Sequence, residues 1–265
     1  MIGKKLRLEK IRDQESGNFL TVPMDHGVTI GPVKGLENIG RTINEIKEGG
    51  GDSILVQKGV VKHQVEHIPS DMGVAVHINA ATTVSPDPNN KVVVGSVEEA
   101  VRHGADAVSA HINVGSETEA HQFQDLGEIA DDCDRFGMPL IAMMYVRGPD
   151  VDSNDEETLA HAARLGGELG ADVIKTNYTG NPEKYRQVIE GSHVPVIIAG
   201  GPKAETPLEV LEDIKEAIDV GARGVAIGRN IFQHDDVASM TRAVSEIVHK
   251  GKTVDESVEK AELEL

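Results

Sequence analysis

The chain has 265 residues and a formal net charge of −18, with 39% hydrophobic residues, 28 glycines and only 3% aromatic residues. The acidic balance argues against a nucleic-acid partner, because phosphate backbones are bound by clustered lysine and arginine. No apolar run suits a signal peptide or a membrane span. The single cysteine, Cys133, excludes an intrachain disulfide, so we expect a cytoplasmic protein.

Short apolar runs typical of buried strands alternate with amphipathic runs typical of helices along the whole chain. The eight candidate strands are 19–24, 53–57, 73–78, 107–112, 139–145, 172–176, 194–199 and 224–228. Eight βα units in about 250 residues predict a (β/α)8 TIM barrel. A doubly wound open sheet is the alternative, but no GxGxxG motif follows the first strand.

The chain has no Pro- or Ser-rich linker long enough to divide it, so we predict one domain over residues 1–265. Two polar stretches, 85–90 and 148–157, are interpreted as insertions in loops. The acidic segment 253–265 is predicted to be a frayed helix at the end of the chain.

Polar residues stand at the ends of several predicted strands, where the active site of a TIM barrel lies. They are Asp25-His26-Gly27 after the first strand, His77 and His111 at the ends of the third and fourth, Tyr145-Val146-Arg147 at the fifth and Lys175 at the sixth. Because side chains alternate along a strand, Tyr145 and Lys175 can both point into the barrel.

Glycines follow the last two strands, where TIM barrels commonly bind phosphate. Gly200-Gly201 lies after the seventh strand, and Gly228 is followed by Arg229 after the eighth. Glycines let backbone N–H groups approach an anion, and arginine adds a fixed fork of donors. The pattern therefore predicts a phosphate site rather than simple turns.

Lys175 is a candidate Schiff-base residue in this setting, although a strand-end lysine with its head in water is the simpler interpretation. A lysine amine attacks a carbonyl only in its neutral form, which burial and a nearby cation such as Arg147 favour. Asp25 and Tyr145 carry the groups needed for proton transfer around an imine.

Five motifs carry a resemblance to a known family. They are PMDHGVTIGP (23–32), MMYVRG (143–148), VIKTNYTG (173–180), AGGPK (199–203) and AIGRNIFQHDD (226–236). The chain resembles the archaeal-type class I aldolases, which include the fructose-bisphosphate aldolases and the 2-amino-3,7-dideoxy-D-threo-hept-6-ulosonate synthases. The resemblance implies a TIM barrel, no metal or other cofactor, small phosphorylated ketose and aldehyde substrates, and a homo-oligomer.

The resemblance also implies roles for individual residues. Lys175 would form the Schiff base, Tyr145 would donate a proton and Asp25 would accept one. The residues expected to bind the phosphorylated substrate are His26, Gly27, Val28, Thr29, Val146, Arg147, Gly200, Gly201, Gly228 and Arg229. Val146 departs from the family, which usually has proline at that position.

KTNYTG and the MMY before the arginine are more similar to the synthases, and Asn177 stands where the fructose-bisphosphate aldolases often have a second lysine. The resemblance thus implies a transferase that joins part of 6-deoxy-5-ketofructose 1-phosphate to L-aspartate semialdehyde. That reaction belongs to an alternative route to 3-dehydroquinate and aromatic amino acids.

Several alternatives stay open at this point. The first is a fructose-bisphosphate aldolase, which is a lyase. Another is a zinc-dependent aldolase that uses His26, His77 and His111 as ligands. A barrel that binds a phosphorylated metabolite without catalysis and a thiolase acting on a phosphorylated autoinducer complete the set.

Overall fold

A closed barrel of eight parallel strands forms the centre of the protein. The computed structural model describes residues 1–149 and 151–265. The barrel strands are β1 (Phe19–Pro23), β2 (Ser53–Gln57), β3 (Gly73–His77), β6 (Ala107–Val114), β7 (Leu140–Val146), β8 (Val173–Asn177), β9 (Val196–Ala199) and β10 (Gly224–Ala226), while β4 (Asn79–Ala80) and β5 (Val92–Val93) form a separate antiparallel pair. Each barrel strand pairs with the next, and β10 pairs with β1. The predicted TIM barrel is confirmed.

Twelve α-helices accompany the strands in the described residues. They are α1 (Ile2–Leu8), α2 (His26–Ile30), α3 (Ile39–Glu48), α4 (Lys58–Gln64), α5 (Val97–Arg102), α6 (Glu119–Phe136), α7 (Glu156–Glu168), α8 (Pro182–Gly191), α9 (Pro207–Asp219), α10 (Arg229–Phe232), α11 (Val237–Lys250) and α12 (Val254–Ala261), with a 3₁₀ turn at Val65–His67. No described helix is long and apolar enough to cross a membrane. The short helices α2 and α10 directly follow β1 and β10, so they lie at the carboxyl ends of the strands.

Alternation along the strands separates two apolar layers. The barrel interior holds one cluster, which includes Phe19, Leu55, Ile141, Met143, Tyr145, Val173 and Ile197. The intervening residues of the same strands, such as Leu20, Ile54 and Ile174, pack outward against the helices in the larger core. Inward-facing residues at the carboxyl ends of the strands therefore reach one shared space, which we call the mouth of the barrel.

Three Gly-x-Asp sequences, at residues 50–52, 104–106 and 170–172, place aspartates at the lower end of the barrel, opposite the mouth. Each of three carboxylates accepts a hydrogen bond from a backbone N–H of the neighbouring strand. The pairs are Leu20 with Asp52 at 2.7 Å, Val74 with Asp106 at 3.1 Å and Leu140 with Asp172 at 2.9 Å. The aspartates thus fix the register between adjacent strands where the strands begin.

The amino-terminal segment covers this lower end. Ile11 is fully buried in the interior cluster, and the Ser53 hydroxyl lies 3.4 Å from its carbonyl oxygen. Lys4 Nζ lies 3.0 Å from Asp172, and Lys10 Nζ lies 3.3 Å from Asp106. The segment therefore closes the barrel from below and supplies cations to the aspartates.

The carboxyl-terminal segment differs from the expected frayed tail. Thr253 and Glu256 form a reciprocal capping box at the start of α12, which satisfies two N–H groups of the first turn. Ser257, Ala261 and Leu263 are buried, and α12 packs against α11. The charged residues that suggested fraying lie on the other face of an amphipathic helix.

The polar stretch 85–90 lies in the segment between β4 and β5, close to the mouth. Val92 and Val93 pair with Ala80 and Asn79, so the two ends of this segment are held together and the residues between them form a loop. The second predicted insertion, 148–157, includes Asp150, which lies outside the described residues.

Candidate active site

A cavity of about 500 Å³ occupies the mouth of the barrel. Its lining combines charged and polar side chains from several strands with two glycine-rich loops. The lining residues include Asp25, His26, Thr29, Lys91, His111, Tyr145, Arg147, Lys175, Asn177, Gly200, Gly201, Gly228 and Arg229. A concave site with convergent polar groups at this end of a TIM barrel is where catalysis is expected.

The three residues with expected catalytic roles come from three parts of the barrel and line this one cavity. Lys175 in β8 is 6% exposed and Tyr145 in β7 is 8% exposed. Lys175 pairs with Met143 of the neighbouring strand β7. Met143 is the inward-facing residue two positions before Tyr145. Asp25 precedes α2, and its carboxylate makes no capping hydrogen bond to that helix. An amine, a phenol and a carboxylate therefore share the space.

Two histidines flank the Asp25 carboxylate. His26 Nδ1 lies 3.6 Å from one oxygen and His77 Nε2 lies 3.9 Å from the other. Burial lowers the pKa of both imidazoles, against the opposing effect of Asp25. His77 is further fixed by a 2.7 Å hydrogen bond between its Nδ1 and the Ser109 hydroxyl. Both rings are therefore neutral near pH 7.

His111 supports the opposite side of the cavity. Its Nε2 donates to Asn113 Oδ1 at 2.8 Å, and its ring lies against Tyr145 with 4.7 Å between the centroids. Burial, followed by the positive charges of Lys91 and Arg147, holds its pKa well below the usual range. His111 is therefore a neutral side chain that helps to orient the phenol ring.

Metal binding was the sequence-based alternative for His26, His77 and His111. In residues 1–149 and 151–265, no three histidine, cysteine, aspartate or glutamate side chains come close enough to hold a metal ion. Instead His77 bonds to Ser109 and His111 bonds to Asn113.

The two glycine loops meet at the side of the cavity formed by β9 and β10. Gly201 has a φ of 59°, which favours glycine, and a side chain at Gly228 would come within 2.5 Å of the Pro23 carbonyl oxygen. Arg229 donates to the Gly201 carbonyl at 2.7 Å and so ties the loops together. Two glycine-rich loops and one guanidinium group are thus gathered on this side of the cavity, and phosphate binding here stays a prediction.

Asn230 holds the 200–204 loop in place, although sequence analysis gave it no role. Its amide donates to the carbonyls of Gly200 and Pro202 at 2.7 and 3.1 Å. Its Oδ1 accepts from the backbone N–H of Ala204 at 2.8 Å. One buried side chain therefore satisfies three backbone groups of the 200–204 loop.

Three residues with expected binding roles do not line the cavity. Val146 is fully buried in the outer core, because it alternates with the inward-facing Tyr145. Gly27 and Val28 are exposed on α2. A binding role for these three residues stays a prediction, and it would have to be fulfilled by their backbone groups. Arg147 is exposed, and its guanidinium carbon lies 4.9 Å from the Tyr145 ring centroid.

Lys91 is the main cavity residue that sequence analysis missed. It precedes β5, is 5% exposed, and lines the cavity together with Lys175 and Arg147. Burial, and then the charge of Arg147, lower the pKa of its ammonium. A signal was present, since Lys91 adjoins the apolar run Val92–Val94 just as Lys175 follows the apolar run of its own strand.

Two proteins that are similar to this chain in sequence are synthases of the same kind. A 2-amino-3,7-dideoxy-D-threo-hept-6-ulosonate synthase from Halobacterium salinarum is 48% identical, over 93% of this chain and 92% of the relative. A 2-amino-3,7-dideoxy-D-threo-hept-6-ulosonate synthase 1 from Archaeoglobus fulgidus is 42% identical, over 98% and 96% of the two chains.

A solved structure shares the fold. It is an archaeal fructose-1,6-bisphosphate aldolase whose catalytic lysine is covalently bound to the carbinolamine intermediate of its substrate. It is 29% identical, with a TM-score of 0.85 over 93% of this chain and 99% of the other. The family model for DeoC/LacD family aldolases matches residues 19–234. The chain therefore belongs to the DeoC/LacD family of aldolases.

Proposed function

We propose that the protein is a 2-amino-3,7-dideoxy-D-threo-hept-6-ulosonate synthase that works through a Schiff base on Lys175. It takes a three-carbon fragment from 6-deoxy-5-ketofructose 1-phosphate and transfers it to L-aspartate semialdehyde. The observation that carries the proposal is the buried amine of Lys175, which lines one cavity with Tyr145 and Asp25. The covalent lysine of the archaeal aldolase with this fold supports the same chemistry.

The first half of the reaction breaks a carbon–carbon bond. The Lys175 amine adds to a ketone carbon of the substrate, and Tyr145 protonates the departing hydroxyl so that water leaves and an imine forms. Asp25 then takes the proton of the hydroxyl on the β carbon. The bond between the α and β carbons breaks, its electron pair moves into the imine as an enamine, and the phosphorylated aldehyde departs.

The second half reverses these steps with a different aldehyde. The enamine carbon attacks the aldehyde carbon of the acceptor, and the carbonyl oxygen receives the proton that Asp25 holds. Water then adds to the new imine and releases the product from Lys175. The neutral His26 and His77 flank Asp25 without adding positive charge, so the carboxylate can exchange its proton with the substrate.

The loops at Gly200-Gly201 and Gly228-Arg229 are proposed to bind the single phosphate of the ketose. Asn177 lines the cavity where a second lysine would suit a bisphosphate, and it adds no charge. The synthases are also more similar in sequence, at 48% and 42% identity against 29% for the aldolase. These observations favour the synthase over the fructose-bisphosphate aldolase.

Two expectations remain predictions alongside this proposal. A homo-oligomer is expected from the resemblance, and light scattering on the purified protein would measure its mass. A cytoplasmic location is expected from the single cysteine, and cell fractionation would test it.

Assays with the two candidate substrate sets test the proposal. The deoxyketose phosphate with aspartate semialdehyde should be turned over, and fructose 1,6-bisphosphate should be a poor substrate. Borohydride added with the ketose phosphate should inactivate the enzyme and attach the substrate mass to the peptide containing residues 171–180. Lys175→Met should abolish both trapping and turnover.

Two outcomes would contradict the proposal. Efficient cleavage of fructose 1,6-bisphosphate without use of the semialdehyde would identify a lyase. Activity that EDTA removes and zinc restores would favour the metal-dependent alternative.

A further inference from the structure

Lys91 is a buried cation that the proposed mechanism does not use. It is 5% exposed, lines the central cavity, and has no hydrogen-bond or salt-bridge partner among the residues the structure describes. Burying an ammonium group without a counter-charge is costly. Such an arrangement is understandable where a ligand supplies the missing negative charge.

The main chain on both sides of Lys91 is held in place. The Asn89 carbonyl accepts hydrogen bonds from the Asn113 amide at 2.8 Å and from the Gln122 amide at 2.9 Å. On the other side, Val92 and Val93 pair with β4. Lys91 is therefore fixed relative to the barrel, which reduces the entropy lost on binding a ligand.

Lys91 also lies across the mouth from the phosphate-type loops. It belongs to the segment between β3 and β6, and β3 is four strands away from β9 in the closed order of eight. Gly200 and Gly201 directly follow β9. The cavity thus has one anion-binding side built from backbone and Arg229, and a second side built from Lys91 and Arg147.

The charges on this second side suit a carboxylate. Arg147 adds a second cation to this side, and the carboxylates of Asp25 and Asp87 act on Lys91 without forming a salt bridge with it. The ketose phosphate is proposed to bind at the Gly200 and Gly228 loops, so the anionic group left for Lys91 is one on the other substrate.

We propose that Lys91 binds the carboxylate of the acceptor aldehyde. The inference rests on the proposed function, in which the acceptor is an amino acid semialdehyde. An ion pair with Lys91 would hold the far end of the acceptor across the cavity from the phosphate loops, with its aldehyde carbon at the enamine on Lys175. An aldehyde without a carboxylate would leave Lys91 buried and unpaired, which is an effective means of rejection.

Lys91→Met tests the proposal, since methionine keeps an unbranched apolar side chain and removes the charge. We expect kcat/KM for aspartate semialdehyde to fall by about 10- to 100-fold, the range for one charge-assisted contact. Borohydride trapping by the ketose phosphate alone should stay near the wild-type rate. Lys62→Met, an exposed lysine on α4 away from the cavity, is the matched control and should change neither quantity.

A second comparison uses an aldehyde of similar length that lacks the carboxylate. The wild-type enzyme should strongly prefer the semialdehyde, and Lys91→Met should lose most of that preference. Equal losses with both aldehydes, or slower trapping by the ketose phosphate with unchanged use of the semialdehyde, would overturn the assignment of Lys91. A wild-type enzyme that ignores the semialdehyde would instead refute the proposed function, and the acceptor site with it.

Discussion

At the lower end of the barrel, the three strand-start carboxylates all have partners, whereas at the mouth two buried lysines have none among the described residues. Asp52, Asp106 and Asp172 each accept a backbone N–H, and each lies within 3.3 Å of a basic side chain. Lys91 and Lys175 instead face the open cavity.

We interpret the difference as one between charges that stabilise the fold and charges that would bind a ligand. A paired carboxylate at the start of a strand satisfies a backbone donor that burial would otherwise leave alone. An unpaired lysine in a cavity lowers the stability of the free protein, and an anion or a covalent bond to the substrate relieves that cost. Substitutions at the two ends should therefore have opposite signatures.

After the complete loss expected for Lys175→Met, the largest effect at the mouth is expected for Tyr145→Phe. The change keeps the ring and its contact with His111 but removes the proton donor, so turnover should fall by about 10²- to 10⁴-fold. The melting temperature should hardly change. Trapping of Lys175 by borohydride should survive at a reduced rate. The measurements are steady-state turnover and the mass of the enzyme after trapping.

Asp25→Asn is the companion variant and should also slow turnover, since an amide cannot accept the proton. Near-normal turnover in Tyr145→Phe, combined with loss of trapping in Asp25→Asn, would reverse the two proposed roles. Asp25 would then serve the formation of the imine.

Arg229→Ala should have the next largest effect. Loss of one charge-assisted contact of about 1.5–3 kcal/mol should raise KM for the ketose phosphate by roughly ten- to a hundred-fold. Because Arg229 also donates to the Gly201 carbonyl, some of this loss will come from the loop itself. Arg229→Lys, which keeps the charge without the fork, should recover part of the binding. An unchanged KM would place the phosphate elsewhere.

Asp106→Ala probes the lower end. It leaves the Val74 N–H without its acceptor, so the free energy of unfolding should fall by about 1–3 kcal/mol while kcat and KM stay unchanged. Asp106→Asn retains an acceptor and loses only the contact with the exposed Lys10, which is worth about 0–1 kcal/mol. Urea unfolding measures both.

Lys91→Met should show the opposite signature in the same experiment. Removing an unpaired buried charge should leave the unfolding free energy unchanged or raise it, while use of the acceptor falls. A clear loss of stability in this variant would mean that Lys91 has a structural partner, and the contrast between the two ends would fail.

The smallest effect is a pH dependence. Burial and then Arg147 lower the pKa of Lys91, so the cation that binds the carboxylate is present below that pKa and is lost as pH rises through it. On the alkaline side, kcat/KM for the semialdehyde should therefore decline at a lower pH than the ordinary lysine value of 10.5 would give. The charged or titratable groups that act on Lys91 or are affected by it are Arg147, Asp25, Asp87, His77 and His111.

The rate of borohydride trapping with the ketose phosphate, measured at each pH, is the internal reference for the pH profile of kcat/KM. Lys91→Met should remove the difference between the two profiles, because methionine does not titrate. A difference that persists in Lys91→Met would assign the alkaline decline to another group.

Much of the fold followed from the sequence, because buried parallel strands are short apolar runs and helices between them are amphipathic. Errors lay at the ends of elements. β6 continues to Val114, and β10 ends at Ala226, earlier than predicted. The end of a strand depends on whether its neighbour continues to offer hydrogen-bond partners, which a single sequence does not show.

The lining of the cavity was predictable where a residue stands at the end of a strand. Asp25, Tyr145 and Lys175 belong to that class. Because side chains alternate along a strand, an inward-facing Tyr145 also implied that Val146 points outward. Lys91 was missed because it lies in the loop between β4 and β5 and not at the end of a barrel strand. The pairing of β4 with β5 brings this loop to the cavity.

The amino-terminal segment under the barrel has a kinetic consequence. The apolar cluster in the barrel interior, which Ile11 completes at the lower end, lies beneath the cavity, so substrates enter and leave through the mouth. The phosphorylated aldehyde must leave by the route through which the acceptor arrives. Departure should therefore precede entry, which gives a double-displacement pattern of parallel lines in reciprocal plots. Added phosphorylated aldehyde should then compete directly with the semialdehyde for the waiting enamine.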